Sequence, residues 1–286
     1  SISIDHTAFL GSTIPEIAAH KAGIIKSRRP VVYDDSSPEA AAVIFAKAKE
    51  MKSEGFPVTP DEVRRGIRPC LAKSPDPADP GAAGHQEMSF SYRGEEILFE
   101  IPFAAPYQLM NAALAIRALE VSGLPVAPEQ AAEGVKKAKW PARMEEISSG
   151  VYLDGAHNAD GIRAFLDAAC RLKELRKPDH VRILFAVSAD KDHQQMLREI
   201  AERLKPDLWI LSKMESHRTL SVEDLEAAAE KLRAEYGEET EYRVSRDVKH
   251  AVKELLGLHG ERDLSFIAGS LYLAGEVKEQ ISQSTS

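Results

Sequence analysis

Asp154-Gly155-Ala156-His157-Asn158 packs a carboxylate, a glycine, an imidazole and an amide into one short run. The run follows the apolar segment Val151-Tyr152-Leu153 and precedes Ala164, Phe165, Ala168 and Leu172, which recur at helical spacing. At the carboxyl end of such a strand these groups can be presented to a ligand, which makes the run a candidate site.

Other groups suited to ligand chemistry are spread along the chain, and each also has a plain structural explanation. Asp5-His6 follows a short apolar strand and could ligate a divalent metal bound to phosphate, or simply cap a loop. Lys21 ends a helical stretch before Gly23. It either complements the helix dipole or runs inward between small alanines. Gln108 and Asn111 open an alanine-rich helix and could face a purine edge or cap the helix. Arg143 follows the stiff Trp140-Pro141 approach, and its planar fork suits phosphate as well as a surface ion pair. Asp190-Lys191-Asp192-His193 follows an apolar strand at its carboxyl end. Gly269-Ser270-Leu271-Tyr272 follows another and offers backbone N–H groups to a carboxylate, or a helix cap at Ser270.

The elements that must position these residues follow from periodicity. In the first part, the pattern predicts a helix over 14–23, a strand over 30–33, a helix over 38–53, a hairpin over 87–103 around Arg93-Gly94, and helices over 108–122 and 128–138. The Pro, Asp, Ala and Gly content between Cys70 and Gly84 predicts a surface loop. From Val151 onward, apolar strands at 151–153, 182–187, 208–211, 242–244 and 264–268 alternate with helices. That alternation predicts an α/β, Rossmann-like, mostly parallel sheet with helices on both faces. The expected division is therefore 1–139 and 140–286, with Trp140-Pro141-Ala142-Arg143 at the junction, where an interdomain ligand would be touched.

At 286 residues the chain exceeds one ordinary core, which agrees with two domains. A net charge of −8 argues against nucleic acid as the main partner. No apolar run reaches membrane-spanning length and no basic-then-apolar leader occurs, so a cytoplasmic protein is expected. Cys70 and Cys170 belong to no closely spaced ligand or redox motif, and a reducing compartment fits them.

Read in order, the DHTAFLG, EIAAHKAGI, QLMNAALAI, WPARMEE, LDGAHN, SADKD and GSLYLAGEV segments resemble the folylpolyglutamate synthase and dihydrofolate synthase family of the Mur-ligase superfamily. The resemblance covers nearly the whole chain. It implies the C-terminal portion of a Mur-ligase-type ATPase domain followed by a glutamate-ligase domain, in a monomer. It also implies ATP and Mg2+ as cofactors and small-molecule substrates, a folate or dihydropteroate together with glutamate, joined through an acyl phosphate. By the same resemblance His6 is a magnesium ligand and Lys21 a carbamylated lysine. Gln108 and Asn111 face the nucleotide, Arg143 and Asp154 handle ATP, and His157 and Ser270 hold or orient glutamate. Ala142 stands where the family has glycine, and His20, Tyr107 and Ala159 also depart from its pattern. The family's glycine-rich phosphate loop ending in Gly-Lys-Ser or Gly-Lys-Thr does not occur, which leads to the expectation of a truncated, inactive form. A Mur-type cell-wall ligase or a noncatalytic nucleotide- or glutamate-binding module are the competing readings.

Overall fold

The computed structural model describes residues 11, 13–68, 86–216, 218–237 and 239–284. The expected strand before Asp5, His6 itself and the loop expected between Cys70 and Gly84 lie outside these residues. The chain divides into two units, Ser1–Lys139 and Trp140–Ser286.

In the first unit, α1 (Ile14–Ala22) starts from a reciprocal cap. Thr13 Oγ1 accepts the Glu16 N–H and the Glu16 carboxylate accepts the Thr13 N–H at 3.1 Å. The parallel strands β1 (Val31–Asp34) and β2 (Gly55–Val58) are joined through α2 (Pro38–Glu50). Next, α3 (Pro60–Gly66) leads into β3 (Ile67–Arg68), which pairs antiparallel with β4 (Gln86–Tyr92). β4 pairs with β5 (Glu95–Ile101) across Arg93-Gly94, whose φ values of 54° and 81° are those of a tight hairpin turn. α4 (Tyr107–Val121) and α5 (Pro128–Lys136) contribute to a core built on Met88, Phe90, Tyr92, Phe99, Leu109 and Ile116. The hairpin and the long helices match the periodicity. β2 escaped it because Gly55-Phe56-Pro57-Val58 carries strand-breaking residues, tolerated here in a two-stranded sheet.

The second unit is a six-stranded sheet in the order β10-β9-β8-β11-β7-β6. Its strands are β6 (Glu145–Ser148), β7 (Val151–Leu153), β8 (Val181–Phe185), β9 (Leu208–Ser212), β10 (Glu241–Ser245) and β11 (Leu264–Ala268). All pairings are parallel except that of β6 with β7, so the expected α/β sheet is present with one antiparallel edge. That edge was missed because Glu145-Glu146-Ile147-Ser148 is short and polar. The helices are α6 (Ala159–Arg176), α7 (His193–Arg203), α8 (Val222–Tyr236), α9 (Val248–Leu258) and α10 (Leu271–Ser284).

Strand alternation splits the buried residues between two faces. Leu153, Leu184, Ile210 and Ile267 pack with Val252 and Leu255 of α9 and Leu273 and Val277 of α10. On the opposite face Phe266 stacks with Tyr152 at 5.9 Å and meets Phe165 of α6 edge-on at 5.6 Å. With both faces covered, polar groups collect at the carboxyl ends of the strands. The final strand, β11, is inserted between β7 and β8. Its end is thereby brought beside the Asp154 run: the Asp154 N–H donates to Ile267 O at 2.9 Å, and the Gly269 N–H donates to Ala156 O at 3.0 Å.

Candidate functional site

Asp154 is the first residue beyond β7 and is almost fully buried. One carboxylate oxygen accepts the Met144 N–H and the other the Ala156 N–H, both at 2.8 Å. A charge-bearing side chain thus ties two backbone segments together, the turn before β6 and the connection after β7.

Arg143 sits in that first turn, between Ala142 at φ 54° and Met144 at φ 50°. Two non-glycine residues in the left-handed region, one on each side of Arg143, are costly, and such geometry persists only where the surroundings hold it. Here Asp154 holds Met144, the Gly155 N–H donates to Ala142 O at 2.8 Å, and the Ala142 N–H donates to the Glu145 carboxylate at 2.8 Å. Glycine, which the resemblance implies at position 142, would adopt this φ without strain. Arg143 itself is half-buried, and among the described residues no carboxylate lies within ion-pair distance of it. The guanidinium lies against Gly155, where an added Cβ would meet Arg143 Nη1 at 3.0 Å and Leu271 Cδ2 at 2.3 Å. A side chain at position 155 would have to displace the Leu271 and Arg143 side chains.

His157 is half-buried, and its Nδ1 lies 2.9 Å from Gly155 O. A carbonyl can only accept, so Nδ1 is the donor in this hydrogen bond. Asn158 Oδ1 accepts the Gly161 N–H at 2.7 Å and caps α6. Ser270 is buried, and its hydroxyl accepts the Tyr272 N–H at 3.1 Å at the start of α10. The structural explanation for Ser270 as a cap is thus realised. The amino-terminal ends of two long helices nonetheless adjoin one another here, and both favour an anion.

The remaining candidates belong to the first unit. Gln108 is buried and accepts the Asn111 amide at 2.8 Å, while Asn111 is exposed. Neither caps α4, whose N-terminus has no side-chain cap bond. Lys21 is exposed in the last turn of α1, the placement that complements the dipole. In the charged loop before α7, Asp192 caps the helix by accepting the Gln195 N–H at 3.0 Å. Sequence reasoning missed Glu145, whose only signal was its place beside Arg143. It also missed Leu271, whose contact across the fold leaves no local trace.

Burial pushes the Asp154 carboxyl up to about 6, against the Met144 and Ala156 N–H groups and the Arg143 charge, which lower it. The folded state therefore binds this proton more tightly than the unfolded chain. The contribution is fully present below about pH 4, is lost as pH rises through about 6, and amounts to about 3 kcal/mol at most. At neutral pH the group is charged. Urea unfolding at about pH 4 and about pH 7 should show the wild type losing up to about 3 kcal/mol more than Asp154→Asn across the interval. Parallel behaviour of the two proteins would contradict a buried charge at this position.

The chain is similar in sequence and fold to known proteins. Residues 142–271 match the family described as Mur ligase, glutamate ligase domain. Folylpolyglutamate synthase of Lacticaseibacillus casei is 34% identical over 205 residues, covering 68% of this chain and 44% of that protein. Dihydrofolate synthase/folylpolyglutamate synthase of Bacillus subtilis (strain 168) is 29% identical over 290 residues, covering 98% of this chain and 61% of that protein. The chain thus spans about half the length of these curated relatives. Among solved structures, the apo form of the L. casei FPGS superposes with a TM-score of 0.70 at 27% identity, over 98% of this chain and 60% of that one. An FPGS–AMPPCP complex gives 0.69 at 26% identity, over 98% and 60%.

Proposed function

Because this chain belongs to the folylpolyglutamate synthase and dihydrofolate synthase family of the Mur-ligase superfamily, we propose that the whole protein joins glutamate to a folate by ATP-driven amide formation. ATP supplies the activation: a folate carboxylate becomes an acyl phosphate, the glutamate amine attacks it, and phosphate leaves. The protein's part is to position the groups and to stabilise charge on the transferring phosphoryl.

The observation that carries this reading is Arg143, a half-buried guanidinium held between two left-handed residues, with no carboxylate in ion-pair distance among the described residues. Such a group fits the phosphates of a nucleotide. Asp154 fixes the turn that carries Arg143 and sets a negative charge beside it. His157, its ring oriented by donation from Nδ1 to Gly155 O, holds or orients the incoming glutamate. Ser270, at the head of α10, suits the glutamate carboxylate. In the first unit, Gln108 and Asn111 take the base of the nucleotide, and Lys21, carbamylated, takes its place near the metal. For magnesium the candidate ligand His6 lies outside the described residues. No group of three or more His, Cys, Asp or Glu side chains that could hold a metal gathers among the described residues.

The test is a ligase assay on the whole protein, with ATP, tetrahydrofolate or dihydropteroate, and glutamate. Glutamate-dependent ADP release with a glutamylated folate as product is expected. ATP hydrolysis indifferent to glutamate and folate overturns the reading. For these 286 residues alone we propose no turnover, since no Gly-Lys-Ser or Gly-Lys-Thr phosphate loop occurs in them. Product formed by this polypeptide by itself would contradict that.

A further inference from the structure

The left-handed turn that carries Arg143 is tied on one side by Asp154 and on the other by Glu145, which is the less buried of the two carboxylates. Glu145 begins β6 and its backbone stands opposite Leu153 of β7, so its position is set by the sheet. One of its oxygens accepts the Ala142 N–H at 2.8 Å. Both oxygens also accept from Lys278 Nζ, at 2.7 and 3.0 Å. Lys278 lies on α10, two turns after Leu271 and on the same face. Leu271 in turn packs where Gly155 leaves room for it, beside Arg143 Nη1. α10 therefore touches the frame of the Arg143 turn at two points, Leu271 near its head and Lys278 further along.

The Glu145 and Lys278 side chains are 31% and 40% exposed, and an ion pair that open to water adds little to stability. What Glu145 does alone among the described residues is accept the N–H that fixes Ala142 at φ 54°. The next residue is Arg143.

We propose that Glu145, held by Lys278 of α10, is a positioning residue: it locks the left-handed Ala142 turn and thereby aims the Arg143 guanidinium at the phosphates of the nucleotide. The proposal rests on the reading of Arg143 as a phosphate ligand. It also joins two parts of the site, since the helix headed by Ser270 is the one that steadies Glu145.

Two measurements separate positioning from a merely structural role. In this chain, hydrogen exchange at the Ala142 N–H should stay slow in the wild type and in Glu145→Gln, whose amide oxygen still accepts. It should become about tenfold or more faster in Glu145→Met and in the charge exchange Glu145→Lys with Lys278→Glu. The exchange keeps the ion pair, so its melting temperature should return close to the wild-type value. In the whole protein, the KM for ATP should rise about tenfold in Glu145→Met and in the charge exchange, stay within about threefold in Glu145→Gln, and leave kcat little changed. Equal Ala142 protection in all four proteins overturns the proposal, as does full recovery of KM by the charge exchange. Were the wild type to show no glutamate-dependent ATP turnover, the functional reading would fall, while the exchange data would still decide whether Glu145 holds the turn.

Discussion

Gly269→Ala is expected to destabilise the protein by about 3–5 kcal/mol and to abolish ligation. Gly269 ends β11 at φ 124°, a region that L side chains rarely adopt. A Cβ there would stand 2.3 Å from Ala186 O and 2.9 Å from Ala186 C. Both atoms are backbone, continuing directly from β8, so no rotamer change can make room. The clash would be relieved only by moving the end of β11. Because the Gly269 N–H donates to Ala156 O, such a movement passes into the Asp154–Asn158 run and into Ser270 together. Urea unfolding reads the stability and the ligase assay reads the site. A loss below about 1 kcal/mol would show that this end of the sheet is far softer than its packing indicates.

His157→Ala should lower ligation by roughly 10²–10⁴-fold while leaving the fold intact. The ring is half-buried and outside the Tyr152–Phe266–Phe165 cluster, so its removal opens no core cavity. What is lost is the ring proposed to orient the incoming glutamate, which is itself held by donation from Nδ1 to Gly155 O. The effect should fall on kcat/KM for glutamate and leave the KM for ATP nearly unchanged, since Arg143 and its turn do not depend on His157. A rate within about threefold of wild type would remove His157 from the reaction.

The parts of the fold that could be read from sequence are those where one periodicity dominates. The central strands β8, β9 and β11 are nearly continuous apolar runs, as sheets covered on both faces require, and the helices between strands carry an apolar stripe. β2, β3 and β6 are short, polar or proline-bearing, and they exist because a neighbouring strand pairs with them. The same division holds for the candidate site. Asp154, His157 and Ser270 announce themselves by lying just after apolar strands. The left-handed turn at Ala142 and Met144 does not, because neither alanine nor methionine signals positive φ. Nor could spacing place Glu145 under Lys278, which lies 133 residues away. The amide pair shows the limit from the other direction. Gln108 and Asn111 were legible as a pair, but their mutual hydrogen bond depends on side-chain rotamers that sequence does not encode.

The claim on which the rest depends is that Arg143 is a nucleotide phosphate ligand on a turn built to present it. Trp140 lies three residues away and is 65% exposed, whereas the other tryptophan, Trp209, is 1% exposed. Trp140 emission therefore reports on this turn. Titration of the chain with ATP should give a saturable change in the wild type, shifted to about tenfold or more higher ATP in Arg143→Ala. Superimposable titrations of the two proteins would contradict the assignment of Arg143.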